Sequence, residues 1–282
     1  MNQTHFLEKS GTTETFFRLL EKNLGISLDL SKEYLLPSRL DSLAKKLGFT
    51  GYAPFLENLV KTPTGQNHWK AFEAMTTNET MFFRDIFPFE VLRDNILPQI
   101  IERKTTSKEL NIWCAAASTG QEPYSLAMIL KETFPELLDW NINISATDIC
   151  EHVLSRAQDA MYSDMEVRRG LTKERLSEHF TDLQDGNYQV HNNLRKIVHF
   201  SKINLIKQWP VMPKFDLILI RNVLIYFNKD TRDHVLKKMH SQLTNEGILI
   251  LGSSESLIFE TGYISERYKN FRFYKKDNLC KI

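Results

Sequence analysis

The sequence predicts an α/β chain: a doubly wound, mostly parallel sheet, preceded by a small all-α region and interrupted by an antiparallel β-insert. Three observations predict it. Residues 14 to about 75 carry helical periodicity and no strand pattern. After Met75, short continuously apolar runs alternate with helical segments, the pattern of strands buried on both faces of a parallel sheet. One interval of roughly 40 residues is too long for a bare loop in a compact domain and holds strand-like runs of its own.

The helical region is built from four stripes. Phe16, Phe17, Leu20 and Leu24 recur at helical spacing before Gly25, a natural C-cap. Leu36, Leu40, Leu43 and Leu47 form a second stripe, ended by Gly48. Tyr52, Phe55, Leu56 and Leu59 form a third, with Thr50 as expected N-cap, and Trp69 and Phe72 belong to a fourth. These set an N-terminal domain over 1–75 and a second domain over 76–282. In the second, a helix over 88–103 leads to strands over 110–115, 142–147, 215–220 and 247–252. Helices fall between them over 122–134, 151–160 and 230–243, the first with Pro123 in its opening turn. Residues 271–275 read as a final edge strand. The insert, about 163–202, holds a helix over 172–179. It also holds strands over 186–190 and 196–200 around the turn-like His191-Asn192-Asn193.

Composition removes several function classes. A net charge of +1 gives no basic face for nucleic acid or membrane. No run of 18 apolar residues suggests a membrane span, and Met1 to Ser10 is too polar for a signal-peptide core. Cys114, Cys150 and Cys280 are too few and scattered for a disulfide framework, and they read as reduced thiols of a cytoplasmic protein. The histidines show no metal-ligand spacing, so no metal is expected.

Three segments concentrate the chemistry. The first is Thr77-Asn78-Glu79-Thr80-Met81-Phe82-Phe83-Arg84, polar groups beside two aromatics. Arg84 offers a planar donor fork suited to a carboxylate; alternatively it is solvated on a linker. The second is the turn Ala115-Ala116-Ala117-Ser118-Thr119-Gly120-Gln121-Glu122. Its small residues would let a cofactor approach the backbone, although the GxGxxG fingerprint is absent and a plain strand-to-helix turn stays open. The third is Arg221-Asn222, just after the strand over 215–220 and followed by Tyr226. Asp148 follows the strand over 142–147, where an acid either accepts from ribose hydroxyls or caps the next helix.

Together these segments resemble the chemotaxis receptor methyltransferases, the CheR-type protein-glutamate O-methyltransferases, from about residue 14 to about residue 275. The resemblance implies a class I methyltransferase fold that uses S-adenosylmethionine and releases S-adenosylhomocysteine. It implies cofactor contacts from Asn78, Thr80, Arg84, Glu122, Asp148, Asn204, Leu205, Arg221 and Asn222. Arg84 and Tyr226 would position the reacting groups. For Glu122 a solvated first-turn acid, and for Tyr226 a core tyrosine, remain the alternatives. The implied partner is the cytoplasmic region of methyl-accepting chemoreceptors, docked by the helical domain. In that domain Lys32, Arg39, Lys45 and Lys46 outnumber Glu33 and Asp41, a weak excess that also fits a solvated face. Some such enzymes also grip a receptor's C-terminal pentapeptide through the insert. The short acidic loop Asp182 to Asn187 points to a form without that tether. Two other readings are kept. A methyltransferase for RNA or small molecules lacks its expected basic stripe or (D/N)PPY-like turn here, and a non-catalytic nucleotide-binding module is the second.

Overall fold

A computed structural model describes residues 3–257 and 262–279, with side chains from residue 11 onward. Cys280 and the first two residues lie outside the described residues, as do the side chains of the polar N-terminal decapeptide. The chain divides into two units. One comprises residues up to 77 with 205–207 and 225–232; the other holds the rest.

The first unit is helical: α1 (Gln3–Leu24), α2 (Leu35–Lys46), α3 (Tyr52–Lys61) and α4 (Gln66–Met75). The predicted stripes form its core, with Phe16, Leu20, Leu36, Leu40, Phe55, Leu59 and Phe72 fully buried. Gly25 ends α1 at φ +79°, and a Cβ there would stand 2.8 Å from Ile206 Cγ2, so only glycine lets this segment close on the helix. The α3 cap differs from expectation. Gly51, not Thr50, is the N-cap, and Asp41 of α2 accepts from the Tyr52 N–H at 3.2 Å. Arg39 is occupied too, donating to the Met75 and Thr76 carbonyls and to Thr77 Oγ1.

The second unit opens with α5 (Phe87–Val91), a π-helical turn over Leu92–Ile96, and α6 (Leu97–Lys104). There follow β1 (Glu109–Ala115), α7 (Gln121–Thr133), β2 (Asn141–Asp148) and α8 (Glu151–Asp159). An insert then runs through β3 (Met161–Ser163), α9 (Asp164–Arg168), α10 (Lys173–His179), β4 (Phe180–Asp182) and β5 (Asn187–Val190). The unit closes with α11 (Asn192–Arg195), β6 (Val198–Lys202), β7 (Phe215–Ile220), α12 (Lys229–Gln242) from residue 233 onward, β8 (Leu243–Leu251), β9 (Tyr263–Tyr268) and β10 (Phe271–Lys276). Seven strands form one sheet in the order β6-β2-β1-β7-β8-β10-β9; β10 alone runs against its neighbours. All six residues of β7 are buried, as a strand covered on both faces requires.

Two strands sit differently from expectation. The run over 196–200 does not pair with 186–190 around a turn. Its residues enter β6, the edge of the main sheet, parallel to β2, and α11 fills the supposed turn. The insert's own sheet is β3-β5-β4 and spans Met161 to Val190. β10 is not the edge, because β9 lies outside it.

At the amino ends of the strands, Asp216 is 3% exposed and accepts from Lys104 Nζ at 2.8 Å, the Asn111 N–H at 3.1 Å and Thr244 Oγ1 at 3.4 Å. One carboxylate thus joins α6, β1, β7 and β8. Asp216→Ala should destabilise the protein by about 1–3 kcal/mol in urea unfolding, the cost of leaving buried partners unpaired. Lys104 is 28% exposed and recovers part of its loss from water. An unchanged midpoint would contradict this role.

Candidate active site

The chain runs from β1 outward through β2 to β6, then returns to β7 and β8 on the other side of β1. The strand order therefore reverses between β1 and β7, and ligands of such sheets bind at the carboxyl ends there. That is where the backbone leaves ordinary conformations. Ala116 and Ser118 after β1, and Asn222 after β7, have φ of +59°, +51° and +58°. Non-glycine residues in this region are strained and persist only when their surroundings hold them.

What holds the turn after β1 is visible. The Ala117 N–H donates to the Thr147 carbonyl at 2.9 Å. The Ser118 N–H donates to Asp148 Oδ2 at 2.9 Å, and its hydroxyl donates to the Asn78 carbonyl at 2.8 Å. Asp148 is 7% exposed, and its Oδ1 accepts from the Cys150 N–H at 3.0 Å. The N-cap of α8 is Cys150, so Asp148 braces two loops rather than capping that helix. Across the β2/β6 edge, the Ile203 N–H donates to the Asp148 carbonyl at 3.0 Å. The next residue, Asn204, has its carbonyl held by Trp209 Nε1 at 3.2 Å. Trp209 in turn packs edge-on against the buried Trp113 at 4.9 Å.

The segment 78–86 lies over the β1 turn through Asn78 and over α7 through Phe83, whose N–H donates to Ser125 Oγ at 2.9 Å. Arg84 is half-buried and donates from Nη1 to the Glu79 carbonyl at 2.7 Å. It has no carboxylate partner among the described residues. Thr80 is half-buried, and its hydroxyl makes no hydrogen bond among the described residues. Both donors are thus available to a ligand.

Arg221 ties this segment to the sheet. Its side chain is 2% exposed. Nη1 donates to Glu122 Oε2 at 2.7 Å; Nη2 donates to Asp85 Oδ2 at 2.8 Å and to the Arg84 carbonyl at 3.0 Å. Its Nε is buried without a partner among the described residues. Glu122 is therefore no solvated first-turn acid; it is the counter-ion of a buried cation. The Asn222 and Gly252 N–H groups both donate to Glu255 Oε2 at 2.8 Å, which joins the loops after β7 and β8. A cavity of about 330 Å³ beside them is lined by Asp85, Phe87, Gly252, Ser253 and Glu255.

Asn78, Thr80, Arg84, Glu122, Asp148, Asn204, Arg221 and Asn222 all belong to this unit. Leu205 and Tyr226 belong to the helical unit, where the Tyr226 carbonyl accepts from the Ser27 N–H at 2.9 Å. Sequence reasoning missed Asp85 and Glu255, and read Ser118 only as a small residue of the turn. Asp85 adjoins Arg84; nothing in the local sequence singles out Glu255. Burial pushes the Cys114 thiol well up, so it is an inert core group.

Comparison with known proteins finds relatives over both units. The family described as "CheR methyltransferase, SAM binding domain" matches residues 78–270, and "CheR methyltransferase, all-alpha domain" matches residues 12–76. A chemotaxis protein methyltransferase of Vibrio parahaemolyticus is 42% identical over 245 residues, 86% of this chain and 88% of its own. Chemotaxis protein methyltransferase 1 of Pseudomonas aeruginosa is 38% identical over 86% of this chain and 89% of its own. A chemotaxis protein methyltransferase of Borreliella burgdorferi is 36% identical over 91% of this chain and 93% of its own. The second unit is accordingly an S-adenosylmethionine-binding methyltransferase domain, and the chain belongs to the CheR methyltransferase family.

Proposed function

We propose that this chain transfers the methyl group of S-adenosylmethionine to glutamate side chains in the cytoplasmic region of methyl-accepting chemoreceptors, giving glutamate methyl esters. The chemotaxis setting comes from the names of its relatives. The observation that carries the chemistry is Arg84, a guanidinium beside the switch point with no carboxylate partner among the described residues. The fit to the cofactor rests on its neighbours. Asp148 stands where a ribose diol would be read, small residues line the β1 turn, and the Thr80 hydroxyl makes no hydrogen bond among the described residues. Asn78, Asn204, Arg221 and Asn222, all of the second unit, complete the proposed cofactor contacts. Glu122 acts there through Arg221.

Bound S-adenosylmethionine supplies an electrophilic methyl on a positively charged sulfur. The chain supplies no base because none is needed: a glutamate with a pKa of about 4.3 is already ionised at neutral pH. Its residues instead position and desolvate. Anion and cation combine to neutral products, so a water-poor pocket favours reaction. Arg84 aims a carboxylate. The reaction takes place in the cytoplasm; among the described residues, no helix is long and apolar enough to cross a membrane. The helical unit docks the receptor. Because Arg39 caps α4 and Lys45 pairs with Asp41 at 2.6 Å, Lys32 and Lys46 are the cations left for that role.

Labelled methyl transfer to receptor cytoplasmic fragments, read as base-labile ester, tests the reading. Arg84→Lys keeps the charge and loses the fork, so activity should fall about tenfold or more, equivalent to ~1.4 kcal/mol or more. Transfer by the Lys variant at the wild-type rate would contradict it.

The insert bears on the tether. Its loop closes on itself: the Gln184 N–H donates to Asp182 Oδ1 at 2.8 Å and the Asn187 N–H to Asp185 Oδ1 at 3.0 Å. Strand addition beside β4 would need that loop to make room. A receptor C-terminal pentapeptide titrated into the enzyme should show no saturable binding, while fragments lacking it are still methylated. Micromolar binding, about −8 kcal/mol, would overturn this reading of the loop.

A further inference from the structure

We propose that the β-insert clamps the cofactor-facing segment 78–86, with Arg175 and Gly170 as its positioning residues. The inference rests on reading that segment as part of the S-adenosylmethionine site. The segment is poorly suited to holding itself. Phe83, Asp85 and Ile86 have φ of +50°, +68° and +44°, so strained residues flank Arg84 on both sides. The restraint after Arg84 is Arg221, which binds the Arg84 carbonyl and the Asp85 carboxylate. Before Arg84, the insert adds its restraint to the bonds that Ser118 and Ser125 make with Asn78 and Phe83.

Phe82 is fully buried between two insert rings. It stands edge-on to Tyr162 at 4.9 Å and to Phe180 at 5.6 Å. Its carbonyl fills the space beside Gly170, where a Cβ would fall 2.0 Å from the oxygen. Gly170 has a φ of +118°, so no side chain is tolerated there on either ground. Phe83 lies beneath the guanidinium of Arg175, whose Cζ is 3.9 Å from the ring centroid. Arg175 is itself planted. Its Nε and Nη2 form a fork on Glu132 of α7, with bonds of 3.0 and 2.9 Å. His179, 2% exposed, contacts the same carboxylate at 2.9 Å. A planar cation fixed by a bidentate bond and laid on a ring sets the ring's position as a flexible ammonium could not. The Arg169–Glu79 pair adds little, being 3.5 Å apart and largely exposed.

The chain of restraint runs Glu132, Arg175, Phe83, Arg84. Loosening it should cost cofactor binding and leave receptor recognition alone. In calorimetry with S-adenosylhomocysteine, Arg175→Ala should bind about tenfold more weakly than wild type. The KM for S-adenosylmethionine should rise in step, while the KM for receptor fragments stays close to wild type. Arg175→Lys, which keeps a cation and loses the fork, should fall between the two. Glu132→Gln, a milder change that spares the packing, should weaken binding in the same direction if Arg175→Ala does not fold. Reciprocity adds a readout that a merely structural role would not move: S-adenosylhomocysteine should slow amide exchange in residues 169–180 of the wild type. Wild-type affinity in folded Arg175→Ala, with the wild type itself binding tightly, would overturn the clamp alone. Failure of the wild type to bind S-adenosylhomocysteine would overturn the reading of the site as well.

Discussion

A guanidinium that is 2% exposed is costly to bury without partners, and Arg221 finds them on two elements besides its own strand end. Glu122 on the first turn of α7 and Asp85 on the segment before α5 both reach it, and the Arg84 carbonyl closes the set. Because the cation projects from the end of β7, these bonds fix the height at which the 84–85 backbone crosses the sheet. Arg84, Asp85 and the loop after β7 are thereby placed relative to one another. The buried Nε left without a partner among the described residues marks what this arrangement costs, since such groups are normally satisfied.

The two ends of the sheet do different work. At the amino ends Asp216 gathers three elements into a fixed base. At the carboxyl ends, strained residues, braced carboxylates and unengaged donors collect around the β1/β7 switch point. Stored strain of this kind needs support from outside the loop that carries it. Asp148 supports the β1 turn, Glu255 supports Asn222, and the insert supports Phe82 and Phe83. In the proposed reading each support also sets the direction of a cofactor contact.

The sequence exposed what local physics determines. Strands buried on both faces read as unbroken apolar runs, and β7 is legible for that reason. Gly25 was legible as a cap because its positive φ is a local need. Edge strands were not. β9 reads Tyr-Ile-Ser-Glu-Arg-Tyr, too polar to stand out, so β10 was taken for the edge. β6 alternates like a hairpin strand, and only its pairing with β2 reveals its sheet. Caps and counter-ions supplied from afar were hidden as well. Asp41 replaces the local Thr50, and Arg221 meets acids 99 and 136 residues away in the chain. Of the site, the residue types were legible and their couplings were not.

The central claim is that the carboxyl ends of β1, β2 and β7 hold S-adenosylmethionine, with Asp148 accepting from its ribose. The most direct measurement is a calorimetric titration of S-adenosylhomocysteine into wild type and Asp148→Ala, each checked for folding by its thermal transition. The account predicts saturable binding to wild type and a loss of about 1–3 kcal/mol in the variant, from ligand hydroxyls left without their acceptor. Equal affinity in a folded Asp148→Ala would contradict it.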